Sequence, residues 1–251
     1  MSFLAQFVGE NLVQHGEDYV DDYAQILAHC FERPPPYAQA NFGVRYRELA
    51  SDAEWFANSL IANSALEGYG SAQIWKFSNR LTRPRHRAAV RQHSLDESRH
   101  STMFVRMLGL TFPGAQMPDE DRRRIEQRQP RYTRSKHPAI EQPAPGTGLD
   151  YDGALTELVK VHITEIRALI LQYLLRPVLL AYAPAENRRT LASASDVLIR
   201  DEARHIGYSA TFFVEAMNAG GRDFMFDTFE REARTFDALT LEELEREAIE
   251  I

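Results

Sequence analysis

The chain has 251 residues, of which 44% are hydrophobic, and it carries a formal net charge of −7. This length and composition suit a single domain, 1–251, and the interspersed acidic and basic residues give no basic surface of the kind that nucleic-acid binding requires. Cys30 is the only cysteine, which excludes an internal disulfide framework and any cysteine-based zinc or iron–sulfur site. The sequence has neither a secretory leader nor an apolar run that spans a bilayer, so we expect a cytoplasmic protein that does not bind membranes.

The predicted elements of the first half are helical. Apolar residues at helical spacing predict an accessory helix over Ser2–Glu32, before a run of three prolines. A long helix is predicted over Arg45–Leu81, and its antiparallel partner over Arg83–Leu110. The proline-rich segment 111–150 then predicts a long crossover, in which only Asp119–Gln129 has a helical pattern.

Three further helices are predicted in the second half. Asp152–Tyr182 forms the first, with a kink expected at Pro177, and Glu186–Ala219 forms the second. Gly220 and Gly221 end that helix, and Arg222–Ile251 gives an acidic, amphipathic helix. The sequence therefore predicts an all-α fold: a four-helix core over about 45–219, with extra N- and C-terminal helices.

A five-residue pattern occurs twice in the predicted core. Asp96-Glu97-Ser98-Arg99-His100 is followed by Asp201-Glu202-Ala203-Arg204-His205, and a glutamate, Glu67 or Glu165, stands upstream of each copy. Positions i and i+3 share a face of a helix, so each Glu-x-x-His directs one carboxylate and one imidazole to the same point. Four glutamates and two histidines form the ligand set of a carboxylate-bridged pair of iron or manganese ions.

The spacing agrees with two helical hairpins. The midpoint between Glu67 and Glu97 is residue 82, and the midpoint between Glu165 and Glu202 falls in Tyr182-Ala183-Pro184-Ala185. A proline lies close to each midpoint, where a new helix can start. Residues equidistant from a tight turn face each other across an antiparallel pair, so each upstream glutamate is expected to be level with its motif.

The doubled D-E-x-R-H motif resembles that of the ferritin-like non-haem di-iron oxygenases, which include the p-aminobenzoate N-oxygenases and the hydroxylase subunits of bacterial multicomponent monooxygenases. The resemblance covers roughly residues 50 to 215 and implies a ferritin-like four-helix bundle. It implies that one metal is held by Glu67, Glu97 and His100 and the other by Glu165, Glu202 and His205, with bridging carboxylates between the metals.

The remaining motif residues are expected to support the ligands. A ligating imidazole needs a partner for its other N–H group, which Asp96 and Asp201 can provide. Arg99 and Arg204 can pair with these aspartates and keep them ionised in a dry interior. The alternative, an exposed Asp–Arg pair on a helix surface, is less favoured because the pattern occurs twice.

Two more histidines share helix faces with the expected ligands. His162 lies three residues before Glu165, and His93 lies four before Glu97, so each is a candidate extra ligand or a buried, hydrogen-bonded histidine. In the p-aminobenzoate N-oxygenases an extra histidine ligand precedes the glutamate of the second motif by four residues, where this chain has Leu198.

We therefore expect a di-iron monooxygenase or N-oxygenase with two iron ions, or an Fe/Mn pair, and dioxygen (O2) as co-substrate. It would oxidise a small organic substrate. Because no G-x-G-x-x-G fingerprint is present, the electrons are expected from a separate ferredoxin or reductase, unless peroxide or the substrate itself supplies them. The alternatives are an iron-oxidising protein of ferritin or rubrerythrin type and a radical-generating subunit like that of ribonucleotide reductase. Tyr69 and Tyr208 are the tyrosines nearest the expected ligands, but helical spacing places neither on the ligand face. The apolar faces of the terminal helices leave open a homodimer.

Overall fold

The computed structural model describes residues 2–115, 118–120, 123 and 146–249, and all regular structure in these residues is helical. The α-helices span Phe3–Gln14 (α1), Asp21–Cys30 (α2), Ala40–Leu49 (α3), Ala53–Arg80 (α4), Pro84–Thr111 (α5), Tyr151–Tyr182 (α6), Arg188–Ala216 (α7) and Arg222–Ile249 (α8). The predicted helix Asp119–Gln129 lies largely outside the described residues. Among the described helices, none combines the length and apolarity that a membrane span requires.

The chain divides into two compact units, each assembled from separate segments. The first unit comprises Met1–Tyr46, Asp152–Leu174 and Ile199–Ile251, and the second comprises Arg47–Tyr151 and Leu175–Leu198. Each upstream glutamate therefore belongs to the same unit as its own motif: Glu67 with residues 96–100, and Glu165 with residues 201–205.

In the second unit, α4 and α5 form an antiparallel hairpin. The turn between them lies at residues 81–83, and Pro84 occupies the first helical position of α5. Proline suits that position because the first turn of a helix does not need its missing N–H. The predicted hairpin turn is thereby confirmed.

Pairs of serines join the two helices of this hairpin. The hydroxyls of Ser64 and Ser101 each donate a 2.7 Å hydrogen bond to the other residue's carbonyl. Ser71 and Ser94 form the same reciprocal pair, also at 2.7 Å. Such small side chains allow the backbones to approach closely. Because the serines are seven residues apart on each helix, both pairs lie on the faces of α4 and α5 that contact each other.

The sequence-based prediction of one helix over Ser2–Glu32 is wrong. The structure has two helices, α1 and α2, and Gly16 in the connection has a φ of 81°. This left-handed backbone conformation suits glycine and ends the first helix. A new helix starts at Asp21, where two aspartates in the first turn complement the helix dipole.

The predicted helix over Arg45–Leu81 is also interrupted. It divides into α3 and α4, and the side chain of Asp52 caps α4 by accepting hydrogen bonds from the backbone N–H groups of Glu54 and Trp55 at 2.8 and 3.1 Å. An aspartate at this position satisfies N–H groups that have no partner inside the helix. The periodicity of the apolar residues continues across the break between α3 and α4, so the break could not be predicted from that periodicity.

The core of the first unit includes α1, α2 and α8. Its buried side chains include Leu4, Val8 and Leu12 of α1, Tyr23, Ile26 and Leu27 of α2, and Met225 and Phe229 of α8. Between α7 and α8, the chain bends at Met217–Gly221, where Gly220 has a φ of 96°. The predicted stop at Gly220 is thereby confirmed, and α6 continues through Pro177.

The serine pairs provide a test of the hairpin. Ser71→Leu should destabilise the metal-free protein by about 1–3 kcal/mol because the closely packed interface has no room for the larger side chain. Ser71→Ala should cost only about 1 kcal/mol, from the lost hydrogen bond. Urea unfolding gives both values, and Ala62→Leu on the exposed face of α4 is the matched control. A Ser71→Leu protein as stable as the control would contradict the close approach.

Candidate metal-binding site

The second-unit triad consists of Glu67, Glu97 and His100. Glu67 lies on α4 and the other two on α5, and one ligand atom from each residue lies within 4.8 Å of the other two. The Nδ1 atom of His100 is 3.4 Å from Oε1 of Glu97 and 3.9 Å from Oε2 of Glu67. The serine pairs bring these residues level across the hairpin, as the midpoint at residue 82 predicts.

The first-unit triad consists of Glu165, Glu202 and His205. Glu165 lies on α6, and Glu202 and His205 lie one helical turn apart on α7. The Nδ1 atom of His205 is 3.4 Å from Oε2 of Glu165 and 3.6 Å from Oε2 of Glu202. In both triads the same imidazole nitrogen therefore faces two carboxylates.

These separations fit donor atoms around a cation. A nitrogen–oxygen hydrogen bond most often measures about 2.9–3.0 Å, so separations of 3.4–3.9 Å are long for direct hydrogen bonds. Two donors that each lie about 2.0–2.2 Å from one metal ion are about 3.0–3.5 Å apart at coordination angles of roughly 90–110°. Both triads approach this geometry, and Glu67 is the most distant member.

Burial and charge also favour a cation. The Glu67 side chain is 13% exposed, and those of Glu97, Glu165 and Glu202 are 8%, 6% and 1% exposed. When its imidazole is neutral, each triad carries two negative charges, and placing such charges away from water is costly unless a cation compensates them. A divalent metal ion would neutralise each triad.

Glu97 has the environment of an ionised ligand. Burial acts to raise the pKa of its carboxyl group, but contacts with Glu67, His100 and His93 hold that pKa well below the usual range. A metal ligand must be deprotonated, so a carboxyl group with a low pKa is ready to bind.

The aspartate and arginine of each motif form an ion pair. Nη2 of Arg99 is 3.1 Å from Oδ1 of Asp96, and Nη2 of Arg204 is 2.9 Å from Oδ1 of Asp201. The aspartates are almost fully buried, whereas the arginines are 48% and 42% exposed. Each arginine thus stabilises a buried carboxylate while its own charge stays hydrated, as the sequence predicts.

The two extra histidines have different surroundings. Nε2 of His93 is 3.5 Å from Oε1 of Glu97, so this ring faces a carboxylate of the second-unit triad. Both ring nitrogens of His162 are instead in hydrogen bonds, at 2.7 Å to the Tyr23 hydroxyl and at 2.7 Å to the Ser209 hydroxyl. This arrangement favours a buried, hydrogen-bonded role for His162 over metal ligation.

The small residues near Glu67 have two roles. Ser64 and Ser71 hold the hairpin together, whereas a Cβ atom added at Gly70 would meet no other atom within 4 Å. Gly70 lies three residues after Glu67, so it leaves open space on the same face of α4. Close approach of the two helices and free space beside the glutamate therefore occur together.

Tyr69 and Tyr208, the tyrosines nearest the expected ligands in the sequence, differ from Tyr23 in their surroundings. Tyr69 is 50% exposed, and Tyr208 packs edge-on against Phe212 with ring centroids 5.8 Å apart. Tyr23 is fully buried and contacts His162, which lies 139 residues away in the chain. No local sequence pattern connects two residues so far apart.

Comparisons with protein families, with curated proteins and with solved structures find no match for this chain. The assignment of the site therefore depends on the residues and their geometry.

Ligand substitutions test the two triads separately. Glu97→Ala and Glu202→Ala should each lose tight iron binding at their own triad, because each removes one of two charged oxygen donors. Elemental analysis after gel filtration measures the iron, and circular dichroism shows that the helices persist. Glu157→Ala, an exposed glutamate paired with Lys160 on α6, is the control and should keep all its iron. Undiminished iron in both ligand variants would contradict the assignment.

Proposed function

We propose that this protein is a non-haem di-iron oxygenase that activates dioxygen to N-oxygenate or hydroxylate a small organic substrate. The observation that carries the proposal is the repeated triad: within each unit, two glutamates with little exposure to water converge with the Nδ1 atom of a buried histidine. The doubled D-E-x-R-H motif on which both triads depend resembles that of known di-iron oxygenases. The proposal includes the ferritin-like bundle that this resemblance implies.

The donor set favours iron or manganese as the metal. Carboxylate oxygens with one imidazole per ion suit redox-active iron or manganese, whereas structural zinc favours closed sites of cysteine and histidine. Four glutamates balance the charge of two divalent ions. An iron pair bound there would supply the electrons that reduce dioxygen.

The protein's own residues would hold such ions in a suitable environment. The ion pairs of Asp96 with Arg99 and of Asp201 with Arg204 place fixed charges beside each motif. Burial of the histidines excludes water, which would otherwise quench reactive oxygen species. The open space at Gly70 gives room beside Glu67.

The proposal requires partners that the chain itself does not supply. An oxygenase needs electrons for each turnover, and the sequence lacks a dinucleotide-binding fingerprint. We assign electron delivery to a ferredoxin or a reductase. The substrate is a small organic molecule that bears an oxidisable nitrogen or C–H group.

Rapid mixing of the ferrous protein with oxygen tests this function. Anaerobic loading should give about two irons per chain, as in other carboxylate di-iron sites, and only these should be oxidised, with a transient visible absorption band. The matched control is Glu157→Ala, which should behave as the unaltered protein does.

Continued oxidation of added iron, well beyond the amount bound, would contradict the oxygenase and favour the iron-oxidising alternative. Ferrous protein that does not react with oxygen would contradict both.

A further inference from the structure

Tyr23 and His162 form a buried pair in the first unit. The Tyr23 hydroxyl is 2.7 Å from Nε2 of His162, and both side chains are fully inaccessible to water. The Nδ1 atom of the same ring is 2.7 Å from the hydroxyl of Ser209. These contacts join α2, α6 and α7.

The neighbouring acceptors assign a direction to these hydrogen bonds. Ser209 has one hydroxyl proton, and the backbone carbonyls of His205 and Ile206 are its acceptors at 2.7 and 3.0 Å. We therefore assign the proton of the neutral ring to Nδ1 of His162, which donates to the Ser209 oxygen. A neutral imidazole with its proton on Nδ1 has a lone pair on Nε2. The Tyr23 hydroxyl therefore donates to Nε2, which is placed to receive its proton.

The surroundings keep both groups neutral. Burial raises the pKa of Tyr23 well above its ordinary value and lowers the pKa of His162 to about 3. The rings of Phe213 and Phe229 pack edge-on against His162, at centroid distances of 5.1 and 5.5 Å. The phenol thus has no route to lose its proton to solvent, but it can pass that proton to His162 when it also loses an electron.

The pair lies beside the first-unit triad. His162 is three residues before Glu165 on α6, about 4.5 Å along the helix axis. The Glu165 carboxylate acts electrostatically to favour a proton on His162. At the equivalent position in the second unit, three residues before Glu67, the chain has Ser64, so the triads do not require a histidine there.

A second tyrosine connects the pair to the surface. The ring of Tyr19 packs edge-on against Tyr23 with centroids 5.9 Å apart, and Tyr19 is only partly buried. Tyr19 lines a surface depression with Gly9 and Val13. Two phenol rings in contact therefore lead from the vicinity of the triad to solvent.

We propose that Tyr23 and His162 form a one-electron redox site that reduces the oxidised metal centre when no substrate is present to do so. Tyr19 connects this site to solvent. This inference rests on the proposed function, because the oxidant is the oxygen-activated di-metal centre. Tyr23 gives that centre one electron, its O–H bond breaks, and the proton forms an N–H bond at Nε2 of His162. The products are a neutral phenoxyl radical, an imidazolium and a centre reduced by one electron. Electron transfer from Tyr19 then reduces the Tyr23 phenoxyl, which takes back its proton from Nε2 of His162, while the partly exposed Tyr19 releases its own hydroxyl proton to solvent. The external electron donor, a ferredoxin or a reductase, then supplies one electron and solvent supplies one proton to restore Tyr19.

Electron paramagnetic resonance tests the redox site. The iron-loaded protein, grown with ring-deuterated tyrosine, is mixed with oxygen without substrate and freeze-quenched. An organic radical with a narrowed tyrosyl spectrum should form. Tyr23→Phe, which keeps the ring and removes the hydroxyl, should lose this signal while retaining the helicity and iron content of the unaltered protein. Tyr19→Phe should retain the signal and lengthen its lifetime, and Tyr208→Phe is the matched control.

The outcomes separate this inference from the proposed function. Iron oxidation without a tyrosyl signal, or a signal that survives in Tyr23→Phe, overturns the redox site and leaves the oxygenase in place. If oxygen does not oxidise the iron, the proposed function is wrong. The redox site is then tested in the metal-free protein, with photoexcited ruthenium tris-bipyridine and persulfate as the oxidant. A trapped radical that forms in the unaltered protein but not in Tyr23→Phe supports the redox site. Equal radical yields in the unaltered protein and in Tyr23→Phe overturn it.

Discussion

A pair of glutamate carboxylates with little exposure to water is the main electrostatic constraint on each unit. In each unit two glutamates and one imidazole share a site that water scarcely reaches, and the carboxylates would repel each other without a compensating cation. The arginines nearest in sequence, Arg99 and Arg204, pair with aspartates. Each triad could hold a metal ion, which would neutralise the carboxylates and occupy the space between the donor atoms.

Different hydrogen bonds between helices position the triads in the two units. In the second unit, serine side chains bond to the carbonyls of the opposite helix and set a close separation between α4 and α5. In the first unit, His162 of α6 bonds to Ser209 of α7, and Ser209 bonds in turn to the carbonyl of His205. The two motifs are nearly identical, but their supporting contacts differ, and this difference gives the first unit a buried tyrosine–histidine pair.

Several features follow from short-range sequence rules. The i, i+3 spacing of Glu97 and His100 fixes their shared face, Pro84 marks the start of α5, and Gly220 marks the bend after α7. The expected Asp–Arg pairs also depend on spacing within one helix. These features could be predicted because a helix places residues three apart together, whatever the rest of the chain does.

Other features required the three-dimensional structure. The breaks between α1 and α2 and between α3 and α4 depend on a left-handed glycine and an aspartate cap, and the apolar periodicity continues past both. The contact of Tyr23 with His162 joins residues far apart in the chain, so His162 looked like a candidate ligand from its position before Glu165 alone. Tertiary contacts of this kind cannot be predicted from the spacing of residues within one helix.

Anomalous X-ray diffraction from crystals grown anaerobically with ferrous iron would show whether each triad binds a metal ion. We expect one iron peak about 2.0–2.2 Å from Nδ1 of His100 and another at the same distance from Nδ1 of His205, each beside the two glutamates of its triad. Iron bound only at surface carboxylates, or iron absent from both triads, would contradict the assignment of the triads as metal sites.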